Sequence, residues 1–157
     1  MIRVVHGDLL DAKTDVICHQ VNCQGKMGSG VALQIRQKFP EAFKEYLRLC
    51  NRGCGNPKKL LGVCQMVEVD RDGRKFYIAN LFGQLGYGYD GRQYTSLDSF
   101  RQGIKDLRAR ADLKNVKSIA MPYKIGCGRG GADWKEILPI IEEGLRDLDV
   151  TLFEYKE

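Results

Sequence analysis

His19 is one of only two histidines in the chain, and it stands three residues before Asn22 in the run Ile17-Cys-His-Gln-Val-Asn22. A histidine changes charge near neutral pH, so it could act as a general acid to a departing oxygen or position a water. A hydrogen-bonded core histidine fits the same place. His6, on the first apolar run, has no motif around it and reads as structural. Two glycine runs could hold an anion: Gly25-Lys-Met-Gly-Ser-Gly30 and Ile125-Gly-Cys-Gly-Arg-Gly-Gly131. Glycines let backbone N–H groups approach an anion closely, and a following helix adds the partial positive charge of its N-terminus. Two such loops could clasp the two phosphates of a pyrophosphate, or they could simply mark turns.

Familiar phosphate motifs do not account for these runs. Gly126, Gly128 and Gly131 match G-x-G-x-x-G, but a dinucleotide half needs an acidic residue about 20 positions on and further sheet beyond it. Only 26 residues follow Gly131. Nor is Gly25-Lys26 a P-loop, because Gln20 stands where the first glycine belongs and Met27 replaces Ser/Thr. Cys50 and Cys54 are spaced like metal ligands, yet a zinc site needs two more convergent donors, so no metal or other cofactor is expected.

The elements that must position these loops follow from periodicity. Ile2–Val5 and Val16–Val21 read as short buried strands separated by a turn. Val31–Phe39 reads as a helix, and Pro40 opens another carrying Phe43, Tyr46, Leu47 and Cys50, which the segment 53–57 ends. Leu61–Val69 and Lys75–Phe82 form strands joined by Asp70-Arg-Asp-Gly73, a hairpin signal. A long Gly/Tyr loop, 83–93, leads to a capping box at Thr95–Asp98 and a helix with Leu97, Phe100, Ile104 and Leu107 on one face. Val116–Met121 and Val150–Tyr155 are the last strands. Asp133 caps the helix between them, and Pro139 should delay or kink that helix. Strands interleaved with helices mean an α/β layered fold.

Composition supports one domain spanning residues 1–157. Hydrophobic residues make up 43% and charged residues 29%, which excludes disorder, and no apolar run approaches the ~20 residues of a membrane helix. Lys plus Arg total 25 against 20 Asp plus Glu, a formal +5. That suits an anionic ligand. The basic residues are scattered without a polybasic stripe, so nucleic-acid binding should be weak, although single-stranded RNA held by charge and exposed tyrosines is an alternative. The N-terminal Met-Ile-Arg-Val-Val-His-Gly lacks an apolar leader core, so a cytoplasmic monomer with its six cysteines reduced is expected.

Four segments, Val5-His-Gly-Asp-Leu-Leu10, Ile17-Cys-His-Gln-Val-Asn22, Gly28-Ser-Gly-Val-Ala32 and Pro122 with Ile125-Gly-Cys-Gly128, together resemble the macrodomain family, in order and over essentially the whole chain. The resemblance is nearest to the branch of terminal ADP-ribose protein glycohydrolases and yeast-type ADP-ribose 1″-phosphate phosphatases. It implies a three-layer α/β/α fold around a mixed sheet, with ADP-ribose in a cleft at the strand ends. By the same resemblance Asp8 accepts from the adenine amino group with Leu9 beside the ring, and Tyr155 stacks on adenine. Asn22 lies near the distal ribose. Gly28, Ser29, Gly30 and Val31 form the first phosphate loop, and Ile125, Gly126, Cys127, Gly128, Arg129 and Gly130 the second. His19 matches a phosphatase-branch histidine. The chain departs from the glycohydrolase branch at two places: Gln84 stands where that branch has a lysine, and Gly130 where it has an aspartate. Lys124 or Asp133 could substitute. Asp90 is a further acid that could swing over the distal ribose, in a loop whose Tyr87, Tyr89 and Tyr94 could cover the ligand. The resemblance thus implies either hydrolysis of a phosphorylated or protein-linked ADP-ribose, with His19, Asn22 and Asp90 as catalytic candidates, or a module that reads ADP-ribose without turnover.

Overall fold

A computed structural model describes residues 1–52, 55–88 and 90–155. Its six strands are β1 (Ile2–His6), β2 (Val16–Val21), β3 (Cys64–Arg71), β4 (Arg74–Phe82), β5 (Ser118–Pro122) and β6 (Asp149–Glu154). They form one mixed sheet in the order β1-β6-β5-β2-β4-β3. All pairs are parallel except β3 with β4. That hairpin turns at Asp72 and Gly73, both in left-handed backbone (φ +56° and +77°), as a tight two-residue hairpin requires. β2 is buried along nearly its whole length. This explains why it reads as a continuous apolar run, since parallel strands are covered on both faces.

Four helices provide the cover: α1 (Gly30–Lys38), α2 (Pro40–Arg52), α3 (Leu97–Leu113) and α4 (Trp134–Gly144). Ile35 of α1, Phe39 at the junction of the two helices and Ala42 of α2 pack with Ile17, Ile78 and Ala120 on one side of the sheet. Phe100, Ile104, Ile137 and Ile141 of α3 and α4 pack with Val16, Cys18, Ala79 and Ile119 on the other. The result is the expected three-layer α/β/α arrangement. α3 lies so close to β4 that a Cβ on Gly103 would come within 2.9 Å of the Leu81 side chain, hence a glycine in mid-helix despite its cost there.

Two boundaries differ from the sequence reading. The strand expected from Leu61 begins later. Pro57–Leu60 forms a 3-10 turn that buries Leu60 beside Tyr46 and Phe82, and β3 starts only at Cys64. Pro139 does not delay α4, which starts at Trp134 and runs on through Pro139 to Gly144. The free thiols include Cys18, Cys23, Cys50, Cys64 and Cys127; Cys54, considered with Cys50 as a metal pair, and Tyr89 lie outside the described residues. No helix among the described residues is long and apolar enough to cross a membrane.

Because five strands run parallel, their carboxyl ends collect on one edge of the sheet. The segments leaving β1, β2, β4 and β5 all emerge there, where α/β sheets bind ligands.

Candidate functional site

A cavity of about 480 Å³ opens on that edge, a size suited to a nucleotide-scale ligand. It brings together His19 and Asn22 from the end of β2, Gly28 to Val31 from the first glycine loop, and Ile125 to Gly130 from the second. Gln84, Tyr87 and Gly88 of the long loop close one side.

The first cradle is a helix start left without its own cap. Ser29 occupies the N-cap of α1 but makes no side-chain cap hydrogen bond, and the first turn carries no acid. By contrast, Ser96 caps α3 by accepting from the Ser99 N–H, and Asp133 caps α4 by accepting from the Lys135 N–H. The N–H groups of Gly30, Val31 and Ala32 precede the first intrahelical bond, Leu33 N–H to Ser29 O, so they remain unspent beside the positive end of the helix dipole. Gly30 takes φ +59°, and its Cβ position faces open space.

The second cradle is shaped by Thr95. Its hydroxyl donates to Gly126 O (2.8 Å), and the N–H groups of Tyr94 and Thr95 donate to Gly130 O. These bonds hold the two carbonyls against the 92–95 segment. The N–H groups of Gly126, Gly128 and Gly130 have no backbone acceptor among the described residues. Such a nest of amides suits an anion. Lys26, Lys124 and Arg129 also line the cavity, and no carboxylate stands among its described lining residues.

His19 is 1% exposed. Its Nε2 lies 2.6 Å from Asn80 Oδ1. The Asn80 amide nitrogen donates to Gln65 Oε1 and Ala42 O, so the acceptor toward His19 is the Asn80 oxygen and the imidazole proton sits on Nε2. The other ring nitrogen, Nδ1, is buried without a partner among the described residues. Burial pulls the His19 pKa down to about 4, against a smaller opposing effect of the Asn80 bond. This corrects the expectation of an imidazolium acid: at neutral pH the ring is uncharged and offers an acceptor lone pair. Burial also raises the Cys23 thiol to about 12 and the Cys127 thiol above its ordinary value, so neither is a thiolate nucleophile at neutral pH.

Asn22 organises the first loop. Its Oδ1 accepts from the Gln24 N–H (2.9 Å) and the Tyr46 hydroxyl (2.8 Å), and its Nδ2 donates to Lys26 O (2.9 Å). Tyr46 reaches up from α2 and also accepts from the Lys26 N–H. The sequence reading placed Tyr46 only as an apolar helix residue, although a buried tyrosine must find a partner for its hydroxyl. Gln20 entered that reading only as a missing P-loop glycine, and Thr95 only as the start of a capping box, whereas Ser96 caps α3 and the Thr95 hydroxyl donates to Gly126 O. Gln20 Nε2 donates to Gln84 Oε1 (2.6 Å) and Thr95 Oγ1 (2.8 Å). The departures at 84 and 130 therefore meet in one network. A Cβ on Gly130 would lie 2.2 Å from Thr95 Oγ1 and 2.5 Å from Gly126 O, so this loop has no room for the acid of the glycohydrolase pattern.

The remaining candidates stand apart from the cavity walls. Asp8 accepts from the Leu10 N–H through Oδ1 and caps the 3-10 turn Leu9–Asp11, with Leu9 buried. Tyr155 is exposed. Asp90 accepts from the Tyr94 hydroxyl and the Arg92 N–H and pairs with the Arg92 guanidinium. It ties its own loop together and is not among the residues that line the cavity.

An α/β/α domain whose parallel strands end in two amide cradles, flanked by cations, presents donors suited to an anion at the carboxyl edge of its sheet. The chain belongs to the Macro domain family, whose model matches residues 18–141. It is 32% identical over 151 residues to the DNA ADP-ribosyl glycohydrolase of Thermus aquaticus, covering 95% of this chain but 39% of that protein; the chain thus spans about two fifths of that relative's length. It is 29% identical to the ADP-ribose 1″-phosphate phosphatase of Meyerozyma guilliermondii, covering 90% and 93% of the two chains. The solved macrodomain of Thermus aquaticus DarG superposes with a TM-score of 0.79 at 31% identity, over 100% of this chain and 99% of the other.

Proposed function

We propose that this macrodomain binds ADP-ribose and hydrolyses a bond at its distal ribose, in ADP-ribose 1″-phosphate or in an ADP-ribosylated macromolecule. The observation that carries the reading is the pair of unspent amide cradles facing one carboxylate-free cavity. The diphosphate spans the two loops. Asp8 has its second carboxylate oxygen for the adenine amino group, and Tyr155 supplies a face for the ring. The distal ribose then lies toward Asn22 and His19, and turnover requires the cavity wall to open far enough for a ribose hydroxyl or the attacking water to reach the buried His19 Nδ1. Gln84 offers no amine, so a lysyl adduct at that position is closed. The relatives' activities support both hydrolytic substrates. In the same reading, residues 1–157 act as a single macrodomain, a cytoplasmic monomer that needs no cofactor and binds nucleic acid weakly.

A second reading, a module that binds without turnover, is favoured by the neutral His19 and by Gly130 with no room for an acid. The test is incubation of the protein with ADP-ribose 1″-phosphate and with ADP-ribosylated protein, alongside calorimetry with ADP-ribose. Release of phosphate or of ADP-ribose supports hydrolysis and names the bond. Micromolar binding, about 8 kcal/mol, without release supports the reader. Absence of binding overturns both.

A further inference from the structure

Four residues other than glycine hold left-handed backbone in the described chain: Asp72, Asn115, Lys124 and Asp147. Three are Asp or Asn, whose short polar side chains tolerate that region. Asp72 turns the hairpin, Asn115 follows the end of α3, and Asp147 precedes β6. Lys124 is the exception, with φ +59°. The turn it makes, with the Ile125 N–H donating to Pro122 O and the Cys127 N–H to Lys124 O, would form more easily on a glycine. A long cationic side chain is kept where the backbone disfavours one.

The position explains what that side chain can supply. Lys124 lines the cavity at the base of the second cradle. Its ammonium lies 5.5 Å from the ring centre of Tyr123, which lines the cavity beside it. It forms no salt bridge with any described carboxylate, whereas Lys38, Arg71 and Arg108 are each paired with an acid.

We infer that Lys124 is a ligand-contacting residue, whose ammonium pairs with a phosphate oxygen of the diphosphate held between the two loops, and that its backbone strain is retained for that charge. This rests on the reading of the cavity as an ADP-ribose cleft and assigns the contact to the diphosphate, not to the adenine or the distal ribose.

Three variants test it, Lys124→Gly, Lys124→Ala and Lys124→Arg, each titrated with ADP-ribose, inorganic pyrophosphate and adenosine and melted without ligand. Lys124→Gly is expected to melt higher than wild type, yet bind ADP-ribose and pyrophosphate about three- to tenfold more weakly, the scale of one partly exposed ion pair, with a shallower salt dependence. Lys124→Ala should lose the same affinity without the gain in melting temperature, and Lys124→Arg should keep wild-type affinity. Adenosine binding should not change. Wild-type affinity for pyrophosphate in Lys124→Gly would overturn the inference, as would an equal loss for adenosine, which would mean a collapsed loop. Wild-type protein that binds pyrophosphate but not ADP-ribose would sink the reading of the cleft while Lys124 is still judged on pyrophosphate; binding of neither overturns both.

Discussion

Gly30→Glu would put a carboxylate into the first cradle. The Cβ position is open, so the side chain fits, but the left-handed backbone at φ +59° makes any residue with a Cβ cost about 1 kcal/mol. Part of that returns, because α1 starts without an acid or a side-chain cap and a negative group there gains about 0.3–1 kcal/mol from the helix dipole. The variant should therefore fold with nearly wild-type stability. Binding is another matter. A unit negative charge about 5 Å from a bound phosphate, at an effective dielectric of about 20, costs about 3 kcal/mol per unit of ligand charge. The carboxylate also takes up the Gly30, Val31 and Ala32 N–H groups. Affinity should fall by more than about a hundredfold, readable by calorimetry with ADP-ribose and a parallel melt. Gly30→Ala carries the backbone cost without the charge, so it should lose melting temperature but keep affinity within a few fold. If Gly30→Glu and Gly30→Ala bind equally well, the start of α1 does not meet the ligand's anion.

Other perturbations follow from the same geometry. The folded-state pKa of His19, about 4, lies below its ordinary 6.5, so the unfolded chain takes up the proton first; the stability from the neutral ring is complete above pH 6.5 and lost as pH falls toward 4, about 3 kcal/mol in all, and denaturant melts of His19→Gln should show a flatter acid limb. Gly130→Ala should cost about 1–3 kcal/mol by overpacking, because the new methyl meets Thr95 Oγ1 and Gly126 O; an unchanged denaturation midpoint would refute the close packing of the two loops. Asn22→Ala removes the anchors to Gln24, Lys26 and Tyr46, so it should lower both stability, by about 2–3 kcal/mol, and ADP-ribose affinity in calorimetry.

What was legible in the sequence depended on how local the cause was. β2 has the bounds expected of it, Val16–Val21, because an apolar, partly β-branched run between Asp15 and Asn22 leaves little choice. The 70–73 hairpin was readable for the same reason. The cradles were visible as glycine runs, but not the reason they present their N–H groups, which lies in Thr95, some 30 residues before Gly126 in the chain. The state of His19 depends on Asn80 across the β2–β4 pair and on Gln65 beyond it in β3, and no spacing announces that relay. Asp8 and Asp90 drew attention as acids near motifs, yet each satisfies a neighbouring backbone N–H first, as short carboxylates do in turns.

β1 lies at the edge of the sheet and pairs with β6, its Ile2 opposite Val150 and its His6 opposite Glu154. The earliest strand in the chain thus waits for the latest. Closing that loop of nearly 150 residues is slow and pays its ordering entropy before the pairing returns anything. The segment carrying Asp8 and Leu9 leads directly out of β1, so its docking belongs to the end of folding, after the half of the edge that holds both glycine loops can already have formed on β2 and β5. Local opening should follow the reverse order, with the β1–β6 margin exchanging its amides before the β2–β5 centre.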